Sequence, residues 1–167
     1  LQIDSSTPEV IEKALRIYNG KPLVNSVNGK AEIMEKVFPA VKKYGGVVVG
    51  LCIDEDGIPP TAEGRLKIAE KIVKTAEKYG IHKKNVIIDT LTLTVSAQQE
   101  ESRETLRALS LVRDNLGVKT VLGVSNISFG LPNRSLVNTT FLALAIQSGL
   151  NACIINPLSK PMIDTIS

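Results

Sequence analysis

Six short apolar runs in this chain each stop at, or close to, a side chain built to hydrogen-bond. The residues that follow them are Asp4-Ser5-Ser6, Asn25-Ser26-Val27-Asn28-Gly29, Cys52-Ile53-Asp54, Asp89-Thr90-Leu91-Thr92, Ser125-Asn126 and Asn156-Pro157. Five of the six ends carry Asp or Asn within about a residue of the apolar run. Carboxylates accept N–H groups, and amides both donate and accept. Two carboxylates and several amides, with few Lys or Arg among them, describe a pocket for a neutral, nitrogen-rich ring. The structural alternative is that these residues cap helices or fold Asx turns. Capping residues stand just before a helix, however. Asp4 lies three residues ahead of Thr7-Pro8, which already supplies a helix start. Asn25 is well ahead of the helix expected at Lys30, and Asn126 is far ahead of the one expected at Ser135.

Other chemistries lack their parts. There is no G-x-G-x-x-G, no G-x-x-x-x-G-K-[ST] and no G-x-S-x-G. The single His, His82, falls in a loop leading into a strand, which is the stability face of a parallel α/β fold. Cys52 ends a strand, but no His is near to activate it. Cys52 and Cys153 are far apart in apolar runs, with no C-x-x-C, so no zinc site is encoded. They read as two buried thiols in a reducing cytosol.

The elements that must position these residues alternate regularly. Strand-like runs occur at Leu1–Ile3, Pro22–Val24, Gly46–Leu51, Val86–Ile88, Thr120–Val124 and Ala152–Ile155. Amphipathic helices are expected at Pro8–Tyr18 (started by Thr7-Pro8), Lys30–Tyr44, Thr61–Tyr79, Glu100–Leu116 and Ser135–Ser148, with a last one from Lys160-Pro161. Pro39 should break or kink the second. Continuous apolar strands suit a parallel sheet covered on both faces. Alternating strands and helices give an α/β fold with right-handed crossovers, and no composition break divides residues 1–167, so one domain is expected.

Six βα units fit either a doubly wound open sheet or six-eighths of a (β/α)8 TIM barrel, whose units run to roughly thirty residues each. The start, LQIDSSTPEV, lacks a secretory n-region and h-region and reads as a cut end, which favours the partial barrel. Net charge is +3, and the Lys residues lie mostly on helical faces. With 4% aromatic residues and no Trp, nucleic acid is not an expected partner, and no run approaches the ~18 apolar residues of a membrane span. A cytoplasmic protein is expected.

Leu1-Gln2-Ile3-Asp4-Ser5-Ser6 and Pro22-Leu23-Val24-Asn25-Ser26-Val27-Asn28-Gly29 resemble the pterin-binding family. Ile87-Ile88-Asp89-Thr90-Leu91 and Gly123-Val124-Ser125-Asn126-Ile127-Ser128-Phe129-Gly130-Leu131-Pro132-Asn133-Arg134 narrow the resemblance. They look like the methyltetrahydrofolate-binding domain of cobalamin-dependent methionine synthases, with the corrinoid iron–sulfur protein methyltransferases as close relatives. The resemblance spans essentially the whole chain. It implies a (β/α)8 barrel, matched here from its third to its eighth βα unit. It implies 5-methyltetrahydrofolate as substrate and methyl transfer from its N5 to cob(I)alamin. The cobalamin domain and the homocysteine-binding zinc domain would be partner modules outside this chain, so no metal is expected in it. Asp4, Asn25 and Asp89 would hold the amide and amino edge of the pterin. Asn126 would stand near N5 as the catalytic residue, and Arg134 would help close the site. Ser125 and Asn156 are rim candidates. Two other readings stay open: a dihydropteroate synthase-like condensing enzyme, which would need an Arg-x-His absent from Asn151–Pro157, and an inactive truncated barrel fragment.

Overall fold

The computed structural model describes residues 1–97 and 99–167. Six strands alternate with six helices: β1 (Gln2–Asp4), α1 (Pro8–Ile17), β2 (Leu23–Asn28), α2 (Ala31–Tyr44), β3 (Val47–Leu51), α3 (Ala62–Lys78), β4 (Val86–Asp89), α4 (Gln99–Leu116), β5 (Lys119–Gly123), α5 (Arg134–Gln147), β6 (Ala152–Ile154) and α6 (Lys160–Ile166). Short 3-10 turns occupy Lys83–Asn85, before β4, and Val124–Ser128, after β5. All pairings between these six strands are parallel, and the strands lie side by side in chain order. A doubly wound sheet reverses its order at a switch point, and this one does not. Right-handed crossovers in unbroken order put every helix on the same face. The result is a partial (β/α) barrel. Among the described residues no pairing joins β1 to β6.

Alternation along the strands sorts their side chains. Ile3, Val24, Val27, Val48, Val86 and Ile88 pack outward against α1, α2 and α3, meeting Ile11, Leu15, Met34, Val37, Phe38, Ile68 and Ile72. Leu122 and Val124 join a second cluster with Leu109, Phe141, Leu142, Ala145 and Met162. The opposite parity forms the inner face. Its register aligns Asp4, Asn25, Val49, Ile87 and Lys119 in one row, and Asn28, Leu51, Asp89, Val121 and Ala152 in a row nearer the C-terminal rim.

Several local expectations shift. β2 does not end at Val24 but continues to Asn28, so Asn25 is an in-strand residue. The register slips between Asn25 and Val27, with Ser26 as the extra residue of a bulge. The bulge is why the buried positions of β2 are three apart, hiding its strand period. α2 runs unbroken through Pro39. The buried side chains Met34, Val37, Phe38, Ala40 and Val41 hold it across the hydrogen bond that proline cannot make. Thr7 makes no side-chain cap. Instead Ser5 Oγ accepts from Thr7 N (3.1 Å), and Pro8 presets the first turn. Thr61 does cap α3, accepting from Gly64 N. Cys52 is buried as expected, whereas Cys153 is only partly so.

Gly50 shows how closely α3 approaches the sheet. A Cβ there would lie 2.8 Å from Ile72 Cγ2 and 3.2 Å from Ile88 Cδ1. Gly50→Val therefore overpacks this contact and should cost about 1–3 kcal/mol. Thermal unfolding of the variant beside the wild type checks it, with a midpoint several degrees lower as the expected result.

Candidate functional site

The C-terminal ends of all six strands face one rim, where parallel α/β folds bind ligands. Three of the expected residues lie on the inner face. Asp4 closes β1 and Asn25 sits beside it in β2. Asn25 Nδ2 donates to Asp4 Oδ2 (3.1 Å), which also accepts from Gln2 Nε2 (3.0 Å). An ionised carboxylate only accepts, so Asn25 must turn its N–H2 toward Asp4, which leaves Asn25 Oδ1 as an outward acceptor.

Asp89 ends β4 one inner row nearer the rim, a step of about 6.6 Å along the strand. It is 8% exposed. Its Oδ1 accepts from Leu91 N (2.8 Å), and among the described residues Oδ2 has no partner. Burial pushes the carboxyl up to about 6, opposed by the Leu91 N–H and by the charge of Arg65. Cys52 follows β3 and donates its backbone N–H to Asp89 O (2.9 Å). Burial, reinforced by the Asp89 charge, drives its thiol far above the usual thiol range, so it is no nucleophile.

Asn126 stands in the 3-10 turn after β5 and is exposed. Its amide folds back over Gly123, where a Cβ would lie 3.2 Å from Nδ2. Gly123 is an inner-face position, so the missing side chain makes room for the amide over the mouth. Among the described residues that amide has no hydrogen-bond partner. The turn is tied down from both sides. Val95 N donates to Ile127 O, and Thr94 and Ser96 hydroxyls both reach Phe129 O (2.8 and 2.9 Å). Arg134, at the start of α5, reaches back with Nε to Ser128 Oγ (2.9 Å) and Nη2 to Ser125 O (3.1 Å), and stacks on the Phe129 ring at 4.8 Å.

Ser125, Arg134 and Asn156 meet in a polar cleft of about 310 Å³, shared with Asn138, Ser159 and Met162. Asn156 Oδ1 accepts from Leu158 N (3.0 Å), an Asx turn, so this rim residue does what the structural alternative expects. Asp54 Oδ1 likewise accepts from Asp56 N. His82 caps the 3-10 turn before β4 by accepting from Lys84 N, at the opposite end of the strands. An apolar cleft of similar volume lies between α4 and α5, lined by Val95, Ile127, Leu136, Phe141 and Leu144. It brings together none of the expected site residues.

Two polar residues near the rim, Asn138 and Arg65, escape a reading of strand ends, and Thr92, which follows β4, gains weight only in the structure. Among the described residues Thr92 Oγ1 and Asn138 Oδ1 are buried without a partner, which is rare in proteins and leaves each able to bond a ligand or a water. Arg65 is wholly buried beneath the β4 loop. It occupies the buried stripe of α3, Ala62-Arg65-Ile68-Ala69-Ile72-Val73-Ala76. A charge in that stripe was the available signal. Among the described residues no group of three or more His, Cys, Asp or Glu is placed to hold a metal, and no helix is long and apolar enough to cross a membrane.

The family model for pterin binding enzymes matches residues 1–156. The chain is 35% identical to methionine synthase of Mycobacterium tuberculosis (strain ATCC 25618 / H37Rv), over 93% of this chain and 14% of that protein. It is 28% identical to the methylcorrinoid:tetrahydrofolate methyltransferase of Eubacterium limosum, over 99% of this chain and 62% of that one. It thus spans about one seventh of the first and less than two thirds of the second. Dihydropteroate synthase from Stenotrophomonas maltophilia superposes with a TM-score of 0.74 at 19% identity, over 99% of this chain and 66% of that chain, a likeness of fold.

Asp89 carries a stability cost that can be measured. Its folded-state value of about 6 lies above the unfolded 3.8, so ionisation costs the folded state about 3 kcal/mol near neutral pH. Asp89→Asn keeps an acceptor for Leu91 N and removes the charge. The variant should unfold at higher temperature than the wild type at pH 7. That advantage should shrink as pH falls from about 6 to 4, where the wild-type carboxyl protonates in the folded state, and vanish below. Thermal melts at pH 3.5, 5 and 7 check the sign.

Proposed function

The chain belongs to the pterin-binding enzyme family, and from that membership we propose that it binds 5-methyltetrahydrofolate at the C-terminal mouth of the partial barrel and presents the N5 methyl group to a corrinoid. The observation that supports this most directly is the set of polar groups around one mouth that have no partner among the described residues: Asn25 Oδ1, Asp89 Oδ2 and the Asn126 amide. The first two are acceptors matched to the N–H and amino groups along the pterin edge. The third can donate or accept, as N5 requires.

The chemistry assigns Asn126 its role. A tertiary amine leaves poorly, so N5 must gain positive character before the methyl group departs. The Asn126 amide can offer its N–H2 to unprotonated N5 and, after rotation, its C=O to N5–H⁺. If the second contact is the stronger, protonation is favoured in the transition state, by about 1–3 kcal/mol for one charge-assisted hydrogen bond. Asp4 would hold Asn25 in orientation, and Arg134 would keep the Asn126 turn closed. Cobalamin, held by a partner module, would supply the nucleophile. The homologies to a methionine synthase and to a methylcorrinoid:tetrahydrofolate methyltransferase favour this reading over a dihydropteroate-forming one.

Calorimetric titration with 5-methyltetrahydrofolate is the direct test. Uptake by the wild-type chain, abolished by Asp89→Ala, is the expected result. A wild-type chain that takes up no folate refutes the proposal that these residues make the pocket. In the enzyme assembled with its corrinoid partner, Asn126→Ala should slow methyl transfer about tenfold to a hundredfold with a much smaller change in folate affinity. An unchanged rate would remove Asn126 from the chemistry.

A further inference from the structure

Arg65 makes five contacts from one buried guanidinium. Nε donates to Pro59 O (3.0 Å). Nη1 donates to Thr90 O (3.0 Å), Leu91 O (3.1 Å) and Thr105 Oγ1 (2.7 Å). Nη2 pairs with the Glu101 carboxylate. These partners belong to three segments: the loop before α3, the loop after β4, and α4.

The loop after β4 has an unusual backbone. Leu91 lies in the left-handed region, with φ 66°. A branched side chain there costs about 1–3 kcal/mol, and the conformation persists only where its surroundings enforce it. The surroundings do so at both ends of the residue. Its carbonyl is taken by Arg65, with Thr105 Oγ1 also 3.0 Å away, and its N–H is taken by Asp89 Oδ1. Thr90 O and the Leu91 N–H belong to one peptide plane, so the guanidinium that holds this carbonyl also fixes the direction in which the N–H meets the carboxylate two residues earlier.

We propose that Arg65 is a positioning residue of the pterin site: by holding the Thr90 and Leu91 carbonyls it fixes the turn that engages Asp89 Oδ1 and leaves Oδ2 free for the ligand. The inference rests on the functional reading above, in which Asp89 meets the pterin. The guanidinium serves these carbonyls from Nη1 while Nε holds Pro59 O and Nη2 pairs with Glu101, and a lysine ammonium, one nitrogen on a flexible stem, cannot hold all of these partners at once. Stability alone does not call for such a group. Replacing a buried ion pair by well-packed apolar residues is often neutral or stabilising. What an apolar residue at position 65 cannot do is satisfy the carbonyls of a loop bent to serve Asp89. The charged and titratable groups around that carboxylate are Arg65 from α3 and Cys52 from the β3 loop, with Glu101 from α4 balancing the guanidinium.

The test separates positioning from plain packing. Arg65→Lys should raise the dissociation constant for 5-methyltetrahydrofolate at least about tenfold and speed hydrogen exchange of the Leu91 amide by a similar factor relative to the Ile88 amide. Adding Leu91→Gly to that variant should recover about half or more of the lost affinity on a logarithmic scale, because glycine takes the left-handed turn without a Cβ penalty. A role confined to packing α3 on α4 gains nothing from a glycine at 91. If Arg65→Lys does not fold, Thr105→Val loosens the same carbonyl and should give a smaller loss with the same exchange signature. The proposal is overturned if the folded variants bind as the wild type does, or if Leu91→Gly restores nothing. Should the wild-type chain bind no folate, the functional reading fails by itself. The Leu91 amide then still decides whether Arg65 holds the turn, by accelerated or unchanged exchange.

Discussion

Everything at the candidate site depends on one topological constraint. Six parallel strands in unbroken order, joined by right-handed crossovers, must carry all their helices on one face. That face takes the apolar half of each strand and supplies the packing. The other half of each strand is released from the need to be greasy. Asp4, Asn25 and Asp89 can stand on the inner face because Ile3, Val24 and Ile88 already stabilise the same strands from the outside.

The inner face is not uniform, and its division has chemical sense. Asp4 and Asn25 share the lower row, exposed enough that one carboxylate and one amide can satisfy each other. Asp89 stands alone in the row above, buried, with a single backbone N–H and a second oxygen left over. A lone buried carboxylate is a poor choice for stability, since burial resists its charge. It is a good choice for binding, because a desolvated acceptor gains more from a ligand N–H than a solvated one does. The protein accepts the cost locally and contains it: Arg65 lies close enough to ease the charge, and Glu101 keeps Arg65 from becoming a second uncompensated ion.

Which parts of this were legible in the sequence follows from range. Strand ends marked by Asp or Asn and the βα alternation are local signals, and the structure places most of the elements close to where those signals put them. The bulge in β2 replaces the strand period of two by a spacing of three, so in the sequence Asn25 reads as a residue beyond the strand. Pro39 looked like a break because local rules do not weigh five buried side chains in its own helix. Arg65 and Asn138 do not stand at strand ends but inside helices, Arg65 in the first turn of α3, and what makes them notable is a loop or cleft contributed by distant sequence. Asn156 illustrates the converse. It had the right residue type at a strand end, and a local turn absorbs its acceptor.

The contrast between Asp89 and Asn126 bears on how such a site divides its work. A group that must hold a ring edge in a fixed register can be buried, charged and clamped, because its protonation state should not change during the reaction. A group that must follow a change of charge at a ring nitrogen has the opposite requirement. It must offer a donor before and an acceptor after, and a carboxylate or ammonium can do only one of these while ionised. An amide does both by rotating, provided nothing else holds it. Gly123 gives the Asn126 amide its room, and Thr94, Ser96, Val95 and Arg134 fix the backbone beneath it without touching the amide. On the proposed role of Asn126, a rigid turn carrying an amide with no partner among the described residues meets that requirement, and an asparagine over a glycine serves it where one more carboxylate would not.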